Sequence, residues 1–155
     1  MKITIVAVGL RQPDWAETAV TDYLARFPSD FRVELKTVKA ETRSGQPAAK
    51  LMAAEAERIR AAIPSGSLIV AMDERGRDLT SAQFAHELGR WRDNAESPVF
   101  VIGGADGLDP PLKSSARMLM RLSAMTLPHA LARVLLAEQI YRGWSLLANH
   151  PYHRA

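Results

Sequence analysis

The stretch of sequence that decides the fold is LSAMTLPHALARVLLAEQIYRGW at residues 122–144, which is followed by NHPYHRA at residues 149–155, the tail. The apolar beginning of this stretch continues a run that starts at residue 119, and Pro128 closes it, as is typical of a strand that leads into a helix. Apolar residues then recur at helical spacing. The stretch therefore predicts a last strand over residues 119–124 and a long helix over residues 128–148, which together favour the α/β class.

The C-terminal part of the chain is strongly basic. Residues 111–155 contain six lysine and arginine residues and a single acid, Glu138, whereas residues 1–110 contain the other 14 basic and 16 acidic residues. Such asymmetry indicates an anionic partner for the C-terminal part. Arginine provides 15 of the 20 basic residues, and it binds phosphate bidentately and stacks on bases. A coding bias towards arginine is the alternative explanation of that preference.

Composition also limits the class of protein. A length of 155 residues predicts one domain over residues 1–155, and a hydrophobic content of 47% supplies its core. The chain has no cysteine, which excludes a disulfide framework, a thiolate metal site and a cysteine nucleophile. Neither a signal peptide nor an apolar run of about 18 residues is visible, so we expect a soluble, cytoplasmic protein that does not enter a membrane.

Strands and helices alternate along the sequence. Apolar and β-branched runs predict strands over residues 2–9, 31–38, 67–72, 98–102 and 119–124. Helical spacing predicts a helix that opens at Pro13-Asp14 and others over residues 48–63, 80–91, 109–118 and 128–148. The polar residues 41–47 predict a loop, because they include a glycine and a proline. This order favours a mostly parallel sheet with helices on both faces.

Ligands of such sheets bind beyond the carboxyl ends of the strands. The loops expected there are residues 73–78, 103–108 and 124–128, and we expect them to form one pocket. The second loop contains GGADG at residues 103–107, whose glycines would let a ligand approach backbone N–H groups. It matches neither the Walker A motif nor the dinucleotide fingerprint, so a tight strand-to-helix turn is the alternative. Residues 122–127 would form an apolar wall for a flat ring, or an ordinary connection packed into the core.

The last predicted helix and the tail carry most of the candidate chemistry. Glu138 and Arg142 lie one helical turn apart, where an ion pair of roughly 0.2–0.5 kcal/mol is the simpler interpretation. Tyr152, His153 and Arg154 offer a stacking ring, an acid/base group and a phosphate ligand, although chain termini usually fray.

Two other kinds of site are disfavoured. A metal site would have to use His129, His150 and His153, but no thiolate or suitably spaced carboxylate accompanies them, so we expect no metal. A serine hydrolase is disfavoured as well, because no serine lies in a Gly-x-Ser-x-Gly elbow.

Spaced sequence blocks resemble those of a known family. The blocks are VAVG at 6–9, PDW at 13–15, GGADGL at 103–108, LSAMTLPH at 122–129, RVLLAEQIYR at 133–142 and NHPYHR at 149–154. Their order and spacing are similar to the ribosomal RNA large subunit methyltransferase H family over the whole chain. The resemblance implies an α/β fold with a C-terminal trefoil knot, a topology that the general rarity of knots would otherwise exclude.

The resemblance also implies a function. Members are homodimers that use S-adenosyl-L-methionine to methylate N3 of a pseudouridine in 23S rRNA on the assembled ribosome, and the tail of one subunit lies near the cofactor of the other. By position, the implied cofactor contacts are Met72, Gly103, Leu122, Ser123, Ala124, Met125, Thr126 and Leu127.

Methylation of a weakly acidic N3–H requires that the nitrogen be positioned in line with the methyl group. It also requires either a base or an anion-stabilising cation. As hypotheses, Glu138 or His153 removes the proton, Arg142 and Arg154 stabilise charge or bind phosphate, and Tyr152 stacks on or hydrogen-bonds the base. A non-catalytic RNA-binding module of the same fold is the alternative function. A flavodoxin-like nucleotide-binding oxidoreductase is a third, which the glycine loop alone would permit.

Overall fold

Strands and helices alternate along the chain in the computed structural model, which describes residues 1–43 and 45–154. The strands are β1 (Lys2–Val8), β2 (Arg32–Val38), β3 (Leu68–Asp78), β4 (Pro98–Ile102) and β5 (Met118–Arg121). The helices are α1 (Asp14–Leu24), α2 (Ala48–Ala62), α3 (Ser81–Asp93), α4 (Pro110–Ser115) and α5 (His129–Leu147), and a 3-10 helix follows over Pro151–Arg154. Ser44, in the predicted loop, and Ala155, at the end of the predicted domain, lie outside the described residues.

The five strands form one parallel sheet in the order β2-β1-β4-β3-β5, which confirms the predicted fold class. Because successive side chains of a strand point to opposite faces, each strand supplies two cores. Ile5 and Phe100 belong to the core beneath α3 and α5, and α1 packs beside α5 on that side. Val6 and Val101 belong to the core beneath α2 and α4. Burial of each such side chain contributes about 1.5–3 kcal/mol.

The connections place a crevice at the carboxyl edge of the sheet. β1 and β4 are neighbours, but β1 leads through α1 to β2 on one side, whereas β4 leads through α4 to β5 on the other. This reversal of direction is where parallel sheets bind ligands. After β5 the chain returns to the middle of the sheet, where α5 begins. Residues 122–128 therefore pass the carboxyl ends of β3 and β4.

The predicted loop over residues 73–78 is wrong, because β3 continues to Asp78. The pairing of β3 with β5 shifts its register between Met72 and Arg77, both of which lie opposite Met120. The intervening charged residues form a bulge, and the strand then resumes with Asp78 opposite Arg121. The charged side chains of residues 73–78 reflect the exposure of this segment, which still pairs with β5.

The boundary between α4 and β5 also differs from the prediction. α4 ends at Ser115 and Ala116 is extended, because Met118 pairs with Val70 and is buried in the core beneath α3 and α5. β5 ends at Arg121, so the whole of residues 122–128 is free to form the return connection.

Gly76 allows β3 and β5 to approach closely at the bulge. A Cβ atom at this position would lie 2.5 Å from the backbone nitrogen of Met120 and 2.6 Å from its carbonyl carbon. We expect Gly76→Ala to lower the free energy of unfolding by about 1–3 kcal/mol, because backbone would have to move. Urea unfolding at fixed protein concentration measures the change.

Gly89→Ala is the matched control for this prediction. The new Cβ would meet only the Leu147 side chain, at 3.1 Å from Cδ2, and alanine favours a helix interior by about 0.5–1 kcal/mol. A loss of stability in Gly89→Ala as large as that in Gly76→Ala would contradict the close approach of the two strands.

Candidate active site

A cleft of about 580 Å³ lies at the carboxyl edge of the sheet. Its walls come from the bulge of β3, the glycine loop (residues 103–107) and the return connection (residues 122–128). The implied cofactor contacts that line it are Met72, Gly103, Leu122, Ser123, Met125, Thr126 and Leu127, whereas Ala124 is not part of the lining. Three chain segments that are distant in sequence thus form one pocket, as the sheet order requires.

The glycine loop is a tight turn packed against itself. A Cβ at Gly103 would lie 2.8 Å from the carbonyl carbon and oxygen of Gly107 and 3.0 Å from Leu108 Cδ2. Gly107 has a φ of +85°, and its N–H donates to the Gly104 carbonyl at 3.0 Å. The packing of the loop therefore requires glycine at position 103, as the tight turn that the sequence offered as the alternative would.

Charged side chains at the rim of the cleft are paired. Lys113 Nζ lies 2.9 Å from Asp73 Oδ2, and Arg43 Nη2 donates to Asp106 Oδ1 at 2.7 Å. Burial disfavours the Asp73 carboxylate, but the Arg75 N–H and Lys113 more than offset it and hold the pKa of Asp73 below its usual range. The cleft thus combines apolar walls with a charged rim, which suits a ligand that has a flat ring and a polar end.

Arg133 fixes the far end of the return connection. Its side chain is buried on the first turns of α5, and Nη2 donates to the carbonyls of Val8 and Gly9 at 2.9 and 2.8 Å. Burial lowers the pKa of the guanidinium, and Nε has no partner among the described residues. The beginning of α5 is therefore attached to the carboxyl end of β1, and the cleft wall is held between β5 and this point.

A second group of candidate residues surrounds Glu138, which is largely buried. Arg142 Nε and Nη2 each lie 2.8 Å from its Oε1, and the Tyr152 hydroxyl lies 3.3 Å from the same oxygen. Gln139 Nε2 donates to Oε2 at 2.8 Å. The carboxylate thus accepts hydrogen bonds on both oxygens and joins the tail to α5.

The end of α1 contributes two residues that sequence reasoning missed. The Tyr23 and Tyr152 hydroxyls lie 3.1 Å apart, and the Arg26 guanidinium lies 4.7 Å from the centre of the Tyr23 ring. The rings of Tyr141 and Tyr152 meet edge to face at 4.7 Å. The tail site is defined by Glu138, Arg142, Tyr152, Tyr23 and Arg26. No spacing signal links residue 23 to residue 152, because only the packing of α1 on α5 brings them together.

The remaining tail residues differ in their surroundings. Burial, the hydrogen bond with Tyr23 and the charge of Glu138 raise the pKa of Tyr152 well above its usual value, so its phenol stays neutral. His153 Nδ1 is buried without a partner among the described residues, and Arg154 is exposed.

The tail site lies away from the cleft of the same chain. None of Glu138, Arg142, Tyr152, His153 and Arg154 lines the cleft, whereas Ala132 does. Arg142 is ten residues beyond Ala132 on one helix, which is about 15 Å at 1.5 Å per residue. The structure therefore brings the cofactor contacts together and the tail residues together, but not the two groups with each other.

Residues 1–43 and 45–154 form neither a metal site nor a membrane-spanning helix. No group of three or more histidine, cysteine or acidic side chains is placed to hold a metal ion. In the same described ranges, no helix has the length and apolar character that crossing a bilayer requires.

Comparison with known proteins assigns the family. A family model described as "Predicted SPOUT methyltransferase" matches residues 1–153. The protein named ribosomal RNA large subunit methyltransferase H in Bordetella avium is 54% identical over 156 residues, and the match covers 100% of both chains. The protein of that name in Burkholderia thailandensis is also 54% identical with the same coverage. The chain belongs to the ribosomal RNA large subunit methyltransferase H family. It is a SPOUT methyltransferase.

Solved structures agree with the fold. A probable methyltransferase from Bordetella pertussis superimposes with a TM-score of 0.59 at 20% identity, over 91% of this chain and 95% of the other. A probable methylase family protein from Haemophilus influenzae gives a TM-score of 0.58 at 15% identity, over 97% of this chain and 69% of the other. At these identities the likeness supports the fold alone. Family membership further implies the C-terminal trefoil knot.

As a SPOUT methyltransferase the chain uses S-adenosyl-L-methionine as its methyl donor. The cleft fits such a ligand, because its volume of about 580 Å³ lies within the roughly 300–1,000 Å³ of small-molecule sites. Its apolar walls suit an adenine ring, and its charged rim suits an amino-acid end.

Substitution of Gly103 tests the cleft. Gly103→Val would displace the backbone of Gly107, so we expect the affinity for S-adenosyl-L-methionine to fall at least about tenfold, equivalent to about 1.4 kcal/mol. Calorimetry measures the affinity, and circular dichroism confirms that the variant is folded.

Ala105→Val is the control for this variant, because Ala105 is exposed in the same loop and already carries a Cβ. We expect a clearly smaller loss of affinity. Unchanged affinity in folded Gly103→Val would contradict the assignment of the cleft.

Proposed function

We propose that this protein methylates 23S ribosomal RNA at N3 of a pseudouridine on the assembled ribosome, with S-adenosyl-L-methionine bound in the cleft. The observation that carries the proposal is the presence of a cofactor-sized cleft and a basic C-terminal segment, residues 111–155, in one small chain. Relatives 54% identical over their whole length are named for ribosomal RNA large subunit methylation. We further propose that residues 1–155 act as one domain in the cytoplasm, where bacterial ribosomes are found.

The cleft residues bind and orient the methyl donor in this proposal. Leu122, Met125 and Leu127 would pack on the ring, and the backbone of the glycine loop and the return connection would bond to its polar atoms. S-adenosyl-L-methionine supplies an electrophilic methyl group when it is bound. The apolar walls exclude water from that group, and the attachment of α5 through Arg133 keeps the wall in place.

A homodimer would complete the site. None of the tail-site residues lines the cleft of the same chain, and Glu138 and Arg142 lie about 9 and 15 Å along α5 from Ala132, so a second subunit would have to supply the tail. The net charge of the segment 111–155 would attract the phosphates of the acceptor RNA and raise the rate of association.

The contacts within the tail site support a division of roles. Both Glu138 oxygens already accept hydrogen bonds, which supports a positioning role and leaves His153 as the better candidate for proton removal. Tyr152 is held neutral and would donate to or stack on the base. The hydrogen bond to Glu138 raises the pKa of Arg142, so this residue is a permanent cation near the tail, while exposed Arg154 would contact phosphate.

The other functions are less well supported. A non-catalytic RNA-binding module would present a basic face without a cofactor cleft, whereas a cleft of suitable size is present. A nucleotide-binding oxidoreductase is disfavoured by the family assignment.

Mapping of modified nucleotides tests the proposed function directly. Ribosomes from cells that lack the protein should lack one methyl group on a pseudouridine of 23S rRNA, and the purified protein with S-adenosyl-L-methionine should restore it. Mass spectrometry of rRNA fragments measures the methyl group. An unchanged modification pattern in the deletion strain would refute the proposal.

Mixed dimers test the composite site. A chain truncated after Asn149 retains its cleft but not its tail, and Gly103→Val retains its tail but not its cofactor site. We expect each variant alone to be inactive. Each mixed dimer should recover about half of the activity of an unsubstituted dimer, because one intact cleft meets one intact tail.

Native mass spectrometry should confirm that mixed dimers form. A mixture that contains them but stays inactive would show that the tail serves its own subunit or none. The truncated chain should keep S-adenosyl-L-methionine affinity within about threefold of the full chain, which is a change of under 1 kcal/mol.

The protonation state of Tyr152 can be tested by pH. Because the pKa of its phenol is raised, Tyr152 stays protonated from about pH 6 to 9, so Tyr152→Phe should leave the shape of the pH–activity profile unchanged. We expect turnover to fall by about 2- to 10-fold through the lost hydrogen bond. His153→Gln should instead change the profile, since it removes the residue proposed to take the proton from the base. A shifted profile in Tyr152→Phe would indicate a reactive phenolate.

A further inference from the structure

A small cavity of about 220 Å³ adjoins the cleft on the side of α3 and α5. It shares Met120, Arg121 and Leu122 with the cleft lining, and its other walls are Leu79, Ser81, Phe84, Leu135 and Gln139. Among these side chains, Ser81 and Gln139 form a hydrogen bond in which Ser81 Oγ donates to Gln139 Oε1 at 2.7 Å. This pair connects the first residue of α3 to the middle of α5.

The same glutamine also contacts the tail site. Gln139 Nε2 donates to Glu138 Oε2 at 2.8 Å. The orientation of the amide follows from chemistry, because a carboxylate only accepts, so the NH2 group must face Glu138 and the oxygen must face the Ser81 hydroxyl. An unbroken series of hydrogen bonds therefore runs from α3 through Gln139 to Glu138 and on to the tail.

Gln139 completes the fixation of the Glu138 carboxylate. Arg142 and Tyr152 both bond to Oε1, which leaves the carboxyl plane free to turn about its terminal torsion. The bond from Gln139 holds the second oxygen. Ser81 in turn belongs to a helix end fixed by a capping box, in which Thr80 and Gln83 bond each other.

We propose that Gln139, oriented by Ser81, is a positioning residue for the methylation reaction: it sets the Glu138 carboxylate and thereby holds Arg142 and Tyr152 in place. This inference rests on the proposed function. Gln139 acts through Glu138 and does not itself touch the methyl donor, because it does not line the cleft.

Two substitutions of Gln139 are expected to differ in how their activity depends on pH. Gln139→Leu removes both hydrogen bonds, so we expect kcat to fall about tenfold at every pH, with the affinity for S-adenosyl-L-methionine unchanged. Gln139→Glu places a second carboxylate against Glu138 Oε2. Such a pair retains a proton at a raised pKa, which restores the hydrogen bond at low pH and loses it as the pH rises.

The activity of Gln139→Glu relative to the unsubstituted protein should therefore fall as the pH rises, while that of Gln139→Leu stays constant. The charged or titratable groups that face Glu138 are Arg142 on its own helix and Tyr152 of the tail, with Tyr23 and Arg26 of α1 beyond Tyr152. Arg142 stays cationic and the pKa of Tyr152 is raised, so neither residue produces a decline in activity in the neutral pH range.

Glu87→Gln is the control, since Glu87 lies on α3 and bonds to Arg90 on the same helix. It should leave kcat and its pH dependence unchanged. Ser81→Ala is a second variant, which should lower kcat in the same direction as Gln139→Leu but by less, because Gln139 keeps its bond to Glu138.

Hydrogen exchange of residues 149–154 separates this inference from the proposed function. Faster exchange in Gln139→Leu, together with a lower kcat and an unchanged affinity for S-adenosyl-L-methionine, would support the positioning role. If no variant methylates rRNA, the proposed function fails, and the exchange of the tail still tests the positioning. Unchanged kcat and unchanged hydrogen exchange in Gln139→Leu would overturn the inference. So would an activity of Gln139→Glu, relative to the unsubstituted protein, that is as independent of pH as that of Gln139→Leu.

Discussion

The attachment of α5 to the carboxyl end of β1 is the interaction on which the site depends. Burial of a guanidinium is costly, and Arg133 offsets that cost through the carbonyls of Val8 and Gly9 and the nearby charge of Glu17. This contact fixes where α5 begins, so the return connection has to cross the ends of β3 and β4. The cleft exists because that crossing forms its third wall. The direction of α5 then carries Glu138 and Arg142 away from the cleft and towards α1.

One helix thus serves two places with different chemistry. Its first turns border an apolar cleft with paired charges at the rim, and its second half supports a polar and aromatic tail site. Tyr141 packs among the rings there, while Glu138 accepts hydrogen bonds from three directions. Binding and positioning can therefore change independently, which explains why substitutions at the two ends are expected to affect different kinetic constants.

Much of this arrangement follows from the sequence, and the rest follows only from packing. Periodicity predicts β1 and β4 closely, and the sheet order that alternation implies brings residues 103–107 and 122–127 together. The bulge in β3 escapes prediction because charged residues 73–78 are typical of a loop, whereas Gly76 lets them stay beside β5. The contact between Tyr23 and Tyr152 joins residues 129 positions apart, which no local pattern records. The knot comes from family resemblance, since general topology argues against it.

The return connection also determines when the cleft forms as the chain is made and folds. β1 to β4 and α1 to α3 all precede residue 103, so most of both cores can assemble while the last part of the chain is still being made. The third wall and the Arg133 contact both lie after residue 120, and Arg133 bonds to residues more than 100 positions away. Such distant contacts close late because chain entropy opposes them. The cleft is therefore completed late in folding, and a chain that lacks residues 122–128 lacks its third wall.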